Sequence, residues 1–76
     1  MEKLLSLLSE IRPDVDFEVE KNLIEDGILD SFDIVSIISE LDENFGIAVR
    51  VTELGPENFN SAEAIFEMVK RLKNNI

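Results

Sequence analysis

The stretch GILDSFDIV, Gly27 to Val35, places one hydroxyl between two carboxylates and beside an aromatic ring, where a strongly amphipathic segment begins. Two chemistries are open to Ser31. With Asp30 as a cap and Asp33 facing the positive end of a helix dipole, the hydroxyl needs no task beyond occupying a first helical turn. Alternatively it is an attachment point. A helix N-terminus favours an anion, so the dipole would tolerate a phosphate esterified to Ser31, with Asp30 and Asp33 opposing it. The chain has no histidine and no cysteine, which removes the commonest general base and, with it, triad-type hydrolysis, disulfides and thiolate metal sites.

A second acidic pattern lies upstream. DVDFEVEKNLIE sets Asp14, Asp16, Glu18 and Glu25 at the first, third, fifth and twelfth positions of an EF-hand-like calcium loop. Val19 falls where that loop needs glycine for its sharp turn, and a β-branched residue resists positive φ. Lys21 falls where an apolar residue is usual. These acids therefore read as a solvated loop, and no metal is expected.

The elements that must position Ser31 follow from hydrophobic spacing. Leu4, Leu5, Leu8 and Ile11 recur at helical intervals among Glu2, Ser6, Ser9 and Glu10, predicting a first amphipathic helix that Pro13 ends. From Arg12 to Asp30 the chain is mostly polar, with Phe17, Leu23, Ile24, Ile28 and Leu29 as isolated apolar anchors. A connection this long is uncommon in a compact domain and directs attention to its end, Asp30-Ser31. SFDIVSIISELDENFG then carries Ile34, Val35, Ile38, Leu41 and Phe45 on one face and Asp33, Ser36, Glu40 and Glu43 on the other, with Gly46 as the stop. The same spacing sets Phe32 on an outer flank with Ser36, Ser39 and Glu43, exposed beside the serine.

IAVRV alternates weakly but has no convincing partner strand, so it reads as an extended connection. TELGPENF holds a short helical turn or two. Asn60 with Glu63 resembles a capping box and opens a last helix on Ala62, Ile65, Phe66, Val69 and Leu72, whose terminal bases complement its dipole. The fold class expected is all-α, in one domain over 1–76. It is a small helical bundle of three main helices plus one short helix before the last, with a long first loop.

With 76 residues the chain sits near the small end of what buries a self-sufficient core, leaving little room for an enclosed active site. Its 45% hydrophobic share is too high for a disordered acidic tail, yet no apolar run is long enough to cross a bilayer. MEKLLSLLSEI carries acid among its leucines and no small-residue cleavage site, so it reads as a helix and not a signal peptide, and a cytoplasmic monomer is expected. Seventeen acids against seven bases give a net charge of -10. Such a field repels nucleic acid and anionic membranes and favours proteins with basic docking surfaces.

GILDSFDIVSIISELDENFGI resembles the central motif of acyl carrier proteins, an acidic Asp-Ser-hydrophobe at the start of a helix. The similarity extends over nearly the whole chain, through the leading helix, the long loop, the Asp-Ser helix, the short turn and the closing SAEAIFEMVKRL. It implies that Ser31 carries 4'-phosphopantetheine through a phosphodiester, taken from coenzyme A by a phosphopantetheinyl transferase. It also implies a carrier, not an enzyme, loaded by an acyl- or aminoacyl-activating ligase and read by downstream transferases. Asp30, Phe32, Asp33, Ser36, Glu40 and Glu43 would form the partner-docking face. Family members commonly have Leu or Met where this chain has Phe32, a difference that bears on partner identity. The LDS form, without paired glycines before the serine, looks like stand-alone acyl carriers or D-alanyl carriers of cell-wall modification. An unmodified acidic interaction module would account for the charge and the Phe32 flank, but not for the serine and the long loop.

Overall fold

A computed structural model describes residues 1–74; Asn75 and Ile76, at the end of the expected 1–76 domain, lie outside the described residues. Four helices follow in order: α1 (Glu2–Ile11), α2 (Ser31–Phe45), α3 (Pro56–Phe59) and α4 (Ala62–Lys73), with a single 3₁₀ turn at Val51–Glu53. The described residues contain no strand, and 46–50 form an irregular connection between α2 and that turn. The bundle expected from the sequence is the one found.

α1 buries Leu4, Leu7 and Leu8 and stops one residue before Arg12, which the following Pro13 holds out of the helical region at φ -133°. The connection from Arg12 to Asp30 has no helix and is pinned by Phe17, Leu23 and Leu29, all buried. Its main chain is satisfied locally and by the far end of the molecule. The Ile28 and Leu29 amides both donate to the Leu23 carbonyl at 3.0 Å, and the Leu23 amide donates to the Asn60 carbonyl at 2.9 Å. The Asn60 side chain completes the tie, its Oδ1 accepting from the Ile24 amide at 2.9 Å and the Glu25 amide at 3.2 Å.

That tie corrects one expectation. Asn60 is committed to the loop, and the cap of α4 is Ser61, whose Oγ accepts from the Ala64 amide at 3.1 Å. α3 begins on Pro56, with φ pre-set for a first helical turn, and contributes one buried ring, Phe59. Around Phe59 the faces of α1, α2 and α4 meet through Leu4, Leu8, Ile37, Leu41, Ile65, Met68 and Val69.

The buried stripe of α2 differs from the one predicted. Asp33, Ile37 and Leu41 are its buried positions, Ile34, Ile38 and Phe45 are half-buried, and Val35 is 65% exposed. Val35 and Ile37 are two residues apart, about 200° of helical turn, so burying one exposes the other. Fully burying an aliphatic side chain is worth about 1.5–3 kcal/mol, and the larger Ile37 takes the central position. Asp33 is carried inward with it.

Gly46 ends α2 in the left-handed conformation at φ 64°, its amide donating to the Asp42 carbonyl at 3.1 Å. A Cβ there would meet no neighbouring atom within 4 Å. The cost of Gly46→Ala is therefore conformational alone, about 1–2 kcal/mol, read as a lower urea midpoint with unchanged slope. Gly46→Asn should recover part of it, because Asn tolerates this region better.

Candidate functional site

α2 starts from a closed capping box. Asp30 Oδ1 accepts from the Asp33 amide at 2.9 Å, and Asp33 Oδ2 accepts from the Asp30 amide at 3.2 Å. Ser31 occupies the first helical position beyond this cap and is exposed. Its hydroxyl is not the capping group, since Asp30 supplies that.

The box is held by a residue that spacing did not single out. Arg12 Nη1 donates to Asp33 Oδ2 at 2.5 Å and to the Ile28 carbonyl at 3.0 Å. Its Nε and Nη2 grip Asp14 in a fork, at 3.0 Å to Oδ1 and 2.8 Å to Oδ2. One guanidinium thus joins the end of α1, the end of the long loop and the start of α2, and it offsets the burial of Asp33, 9% exposed. The fork holds the Asp14 carboxyl below the usual carboxylate range and the Arg12 guanidinium above its ordinary value. A depressed carboxyl contributes stability that is complete above its unfolded value and is lost as pH falls through the lowered one. The signal for Arg12 was there to be read, a lone cation at a helix end just before Pro13 and Asp14.

The sequence-predicted residues fall into two groups. Asp30, Ser31, Phe32 and Glu43 are exposed, with Phe32 at 79%, and Ser36 and Glu40 are half-buried. Asp33 is the exception. The spacing set it on the outer side, whereas its carboxylate is turned inward to Arg12 and to the Asp30 amide. Val35, expected in the core, joins Phe32 on the surface.

Beside Ser31 lies an open groove of about 390 Å³. Ile24, Ile34, Val35 and Ile38 line it together with Ser31, and Leu54, Gly55, Pro56 and Phe59 form the rest of its wall. The sequence reading did not identify this wall, because nothing in TELGPENF shows which helix it will face. A larger, shallower depression of about 920 Å³ lies between α1 and the loop and is edged by Glu2, Glu10, Asp14, Asp16 and Glu18. Asp14 there is engaged by Arg12, Asp16 accepts from the Glu18 amide, and the described residues contain no cluster of three or more carboxylates able to hold a metal ion. No described helix is long and apolar enough to cross a membrane.

What the site can do chemically is limited and specific. It offers an accessible hydroxyl at a positive helix end, next to an apolar groove, on a chain with neither thiol nor imidazole. The chain as a whole is similar to known proteins. Residues 2–69 match the family model described as "Phosphopantetheine attachment site". The chain is 34% identical over 73 residues to the D-alanyl carrier protein of Streptococcus mutans, covering 95% of this chain and 92% of that protein. It is 39% identical over 61 residues to the D-alanyl carrier protein of Streptococcus sanguinis, covering 80% and 77%. The corresponding protein of Streptococcus suis is 36% identical over 72 residues, covering 93% and 91%.

Asp33 and Phe32, adjacent in sequence, should separate in thermal melts. Phe32→Ala leaves stability within about 0.5 kcal/mol of the wild type, as for other surface changes. Asp33→Ala removes an acceptor shared by a main-chain amide and a guanidinium and should lower stability by about 1.5–3 kcal/mol. Equal melting of the two variants would contradict the inward placement of Asp33.

Proposed function

The chain belongs to the phosphopantetheine-attachment-site family of carrier proteins, and from that premise we propose that Ser31 is the attachment point of 4'-phosphopantetheine. The observation that carries this is the division of labour at the start of α2: Asp30 and Asp33 close the cap, and Ser31 stands exposed beyond it at the mouth of the loop. The residues present fit the group. Ser31 Oγ would hold the phosphate as an ester, formed as the pyrophosphate bond of coenzyme A breaks and adenosine 3',5'-bisphosphate leaves; the first turn of α2 would present its positive end to that phosphate, and Ile34, Ile38, Leu54 and Phe59 would offer an apolar surface to the rest of the arm. When bound, the arm supplies a thiol to a chain that has none and keeps its acyl group activated as a thioester.

The protein itself is a handle. Ser31 anchors, the bundle holds Ser31 at the end of a rigid helix, and the acidic face of α2 is offered to partner enzymes. As a docking surface we assign Asp30, Phe32, Ser36, Glu40 and Glu43, with Asp33 acting from beneath as the residue that orients the helix. Partners with basic surfaces, a phosphopantetheinyl transferase first and then a loading ligase and downstream transferases, are the chemistry this face fits. The whole of 1–76 serves as one cytoplasmic, monomeric carrier domain. For cargo, the names of the relatives favour D-alanine over a longer acyl group.

Incubation with coenzyme A, magnesium and a broad-specificity transferase should raise the mass of the wild type by one phosphopantetheinyl group. Ser31→Ala should gain none while melting like the wild type. Modification of Ser31→Ala to the same extent, or no gain by the wild type with several active transferases, overturns the assignment. In the same assay Glu40→Lys and Glu43→Lys should lower the second-order loading rate, more so at low salt. The holo form, offered D-alanine with its activating ligase and ATP, should become aminoacylated.

A further inference from the structure

The 3₁₀ turn at Val51–Glu53 buries none of its residues. Val51 is 80% exposed, and Leu54, which follows the turn, is also exposed. An element without a buried side chain draws little from apolar packing, so polar bonds decide where it sits. Those bonds converge on Glu53. Arg71 of α4 grips its carboxylate with both terminal nitrogens, Nη2 donating to Oε1 at 2.7 Å and Nη1 to Oε2 at 3.3 Å. Asn58 Nδ2 donates to the Glu53 carbonyl at 2.8 Å and to Oε1 at 3.2 Å. The Glu53 side chain is 18% exposed, and Arg71 holds its carboxyl below the ordinary range.

What Glu53 fastens is a wall. Leu54, Gly55 and Pro56 follow directly in the chain and line the groove that Ser31, Ile34 and Ile38 line from α2. Exposed single ion pairs usually contribute little to global stability. A two-pronged pair reinforced by an amide need not do so to govern a local opening, which draws on the low-stability end of the structure.

We propose that the Glu53–Arg71 pair positions this wall, setting the width of the groove beside Ser31 and thereby the size of apolar group that the groove admits. The inference rests on the carrier reading for what the groove holds, and on the geometry alone for the tie. Glu53 is a positioning residue and touches no cargo.

The test uses the unmodified chain. In Glu53→Gln, amide exchange at Leu54 and Asn58 should quicken by at least about tenfold, while the amides of Ile37 and Leu41 keep their wild-type protection. Arg71→Gln removes the same tie from the other side and should do likewise, which covers a Glu53 variant that fails to fold. Straight-chain alcohols of increasing length, titrated against the methyl resonances of Ile34, Ile38 and Leu54, should stop gaining affinity at a shorter chain in the wild type than in either variant. Joining Glu53→Arg to Arg71→Glu should restore both readouts.

Unchanged exchange in both variants overturns the proposal, as does an identical length limit in all proteins or the absence of saturable shifts at these methyl groups. None of these measurements involves phosphopantetheine. Their failure would leave the loading of Ser31 untouched, and failure to load would leave the wall as described.

Discussion

The rotation of α2 that buries Ile37 carries a carboxylate inward, and that placement depends on one ion pair, Arg12 with Asp33. A carboxylate at a buried position is tolerated only when its charge is met and its lone pairs are filled. Arg12 Nη1 meets it from the end of α1, and the Asp30 amide fills it from the cap. With Asp33 inward, Ile37 and Leu41 follow one and two turns on, and Val35 is forced out on the opposite side beside Phe32. The same guanidinium holds the Ile28 carbonyl, so the last residues of the long loop reach Ser31 from a fixed direction. The exposed serine, the apolar residues around it and the acidic flank thus lie over a contact that their placement requires.

The cations are distributed in keeping with this. Arg12 serves Asp33 and Asp14, Arg71 serves Glu53, and Lys21 and Lys70 pair with Glu63 and Glu67. Lys3 donates to the Asn44 carbonyl and sits over the Phe45 ring. α2 has no basic residue of its own, and of its acids Glu43 is exposed and Glu40 and Asp42 are half-buried. A negative field therefore persists along the helix that begins with Ser31, the arrangement that speeds encounter with a basic partner surface without requiring a large permanent interface.

Much of this was legible in the sequence because helical spacing and capping chemistry are local. The leading helix, the stop at Pro13, the anchors Phe17, Leu23 and Leu29, the Asp30 cap and the outward Phe32 all follow from residues within a few positions of one another. What was not legible depends on contacts distant in sequence. Asn60 looks like a cap until the loop amides of Ile24 and Glu25 claim its side chain from more than thirty residues away, leaving the cap to Ser61. Asp33 looks like a surface acid until Arg12 arrives from α1. The groove wall at Leu54 and Pro56 depends on Glu53 finding Arg71 on α4. In each case a polar side chain took a long-range partner that hydropathy does not encode.

Ser31 is proposed to bear a phosphopantetheine arm in the living cell. The most direct measurement is the intact mass of the protein purified from its native cell without added coenzyme A, followed by fragmentation of the peptide that contains Ser31. A population heavier by one phosphopantetheinyl group is expected, with the added mass retained on fragments containing Ser31 and absent from those containing only Ser36 or Ser39. A protein found wholly at its unmodified mass, or carrying the group on another serine, would contradict it.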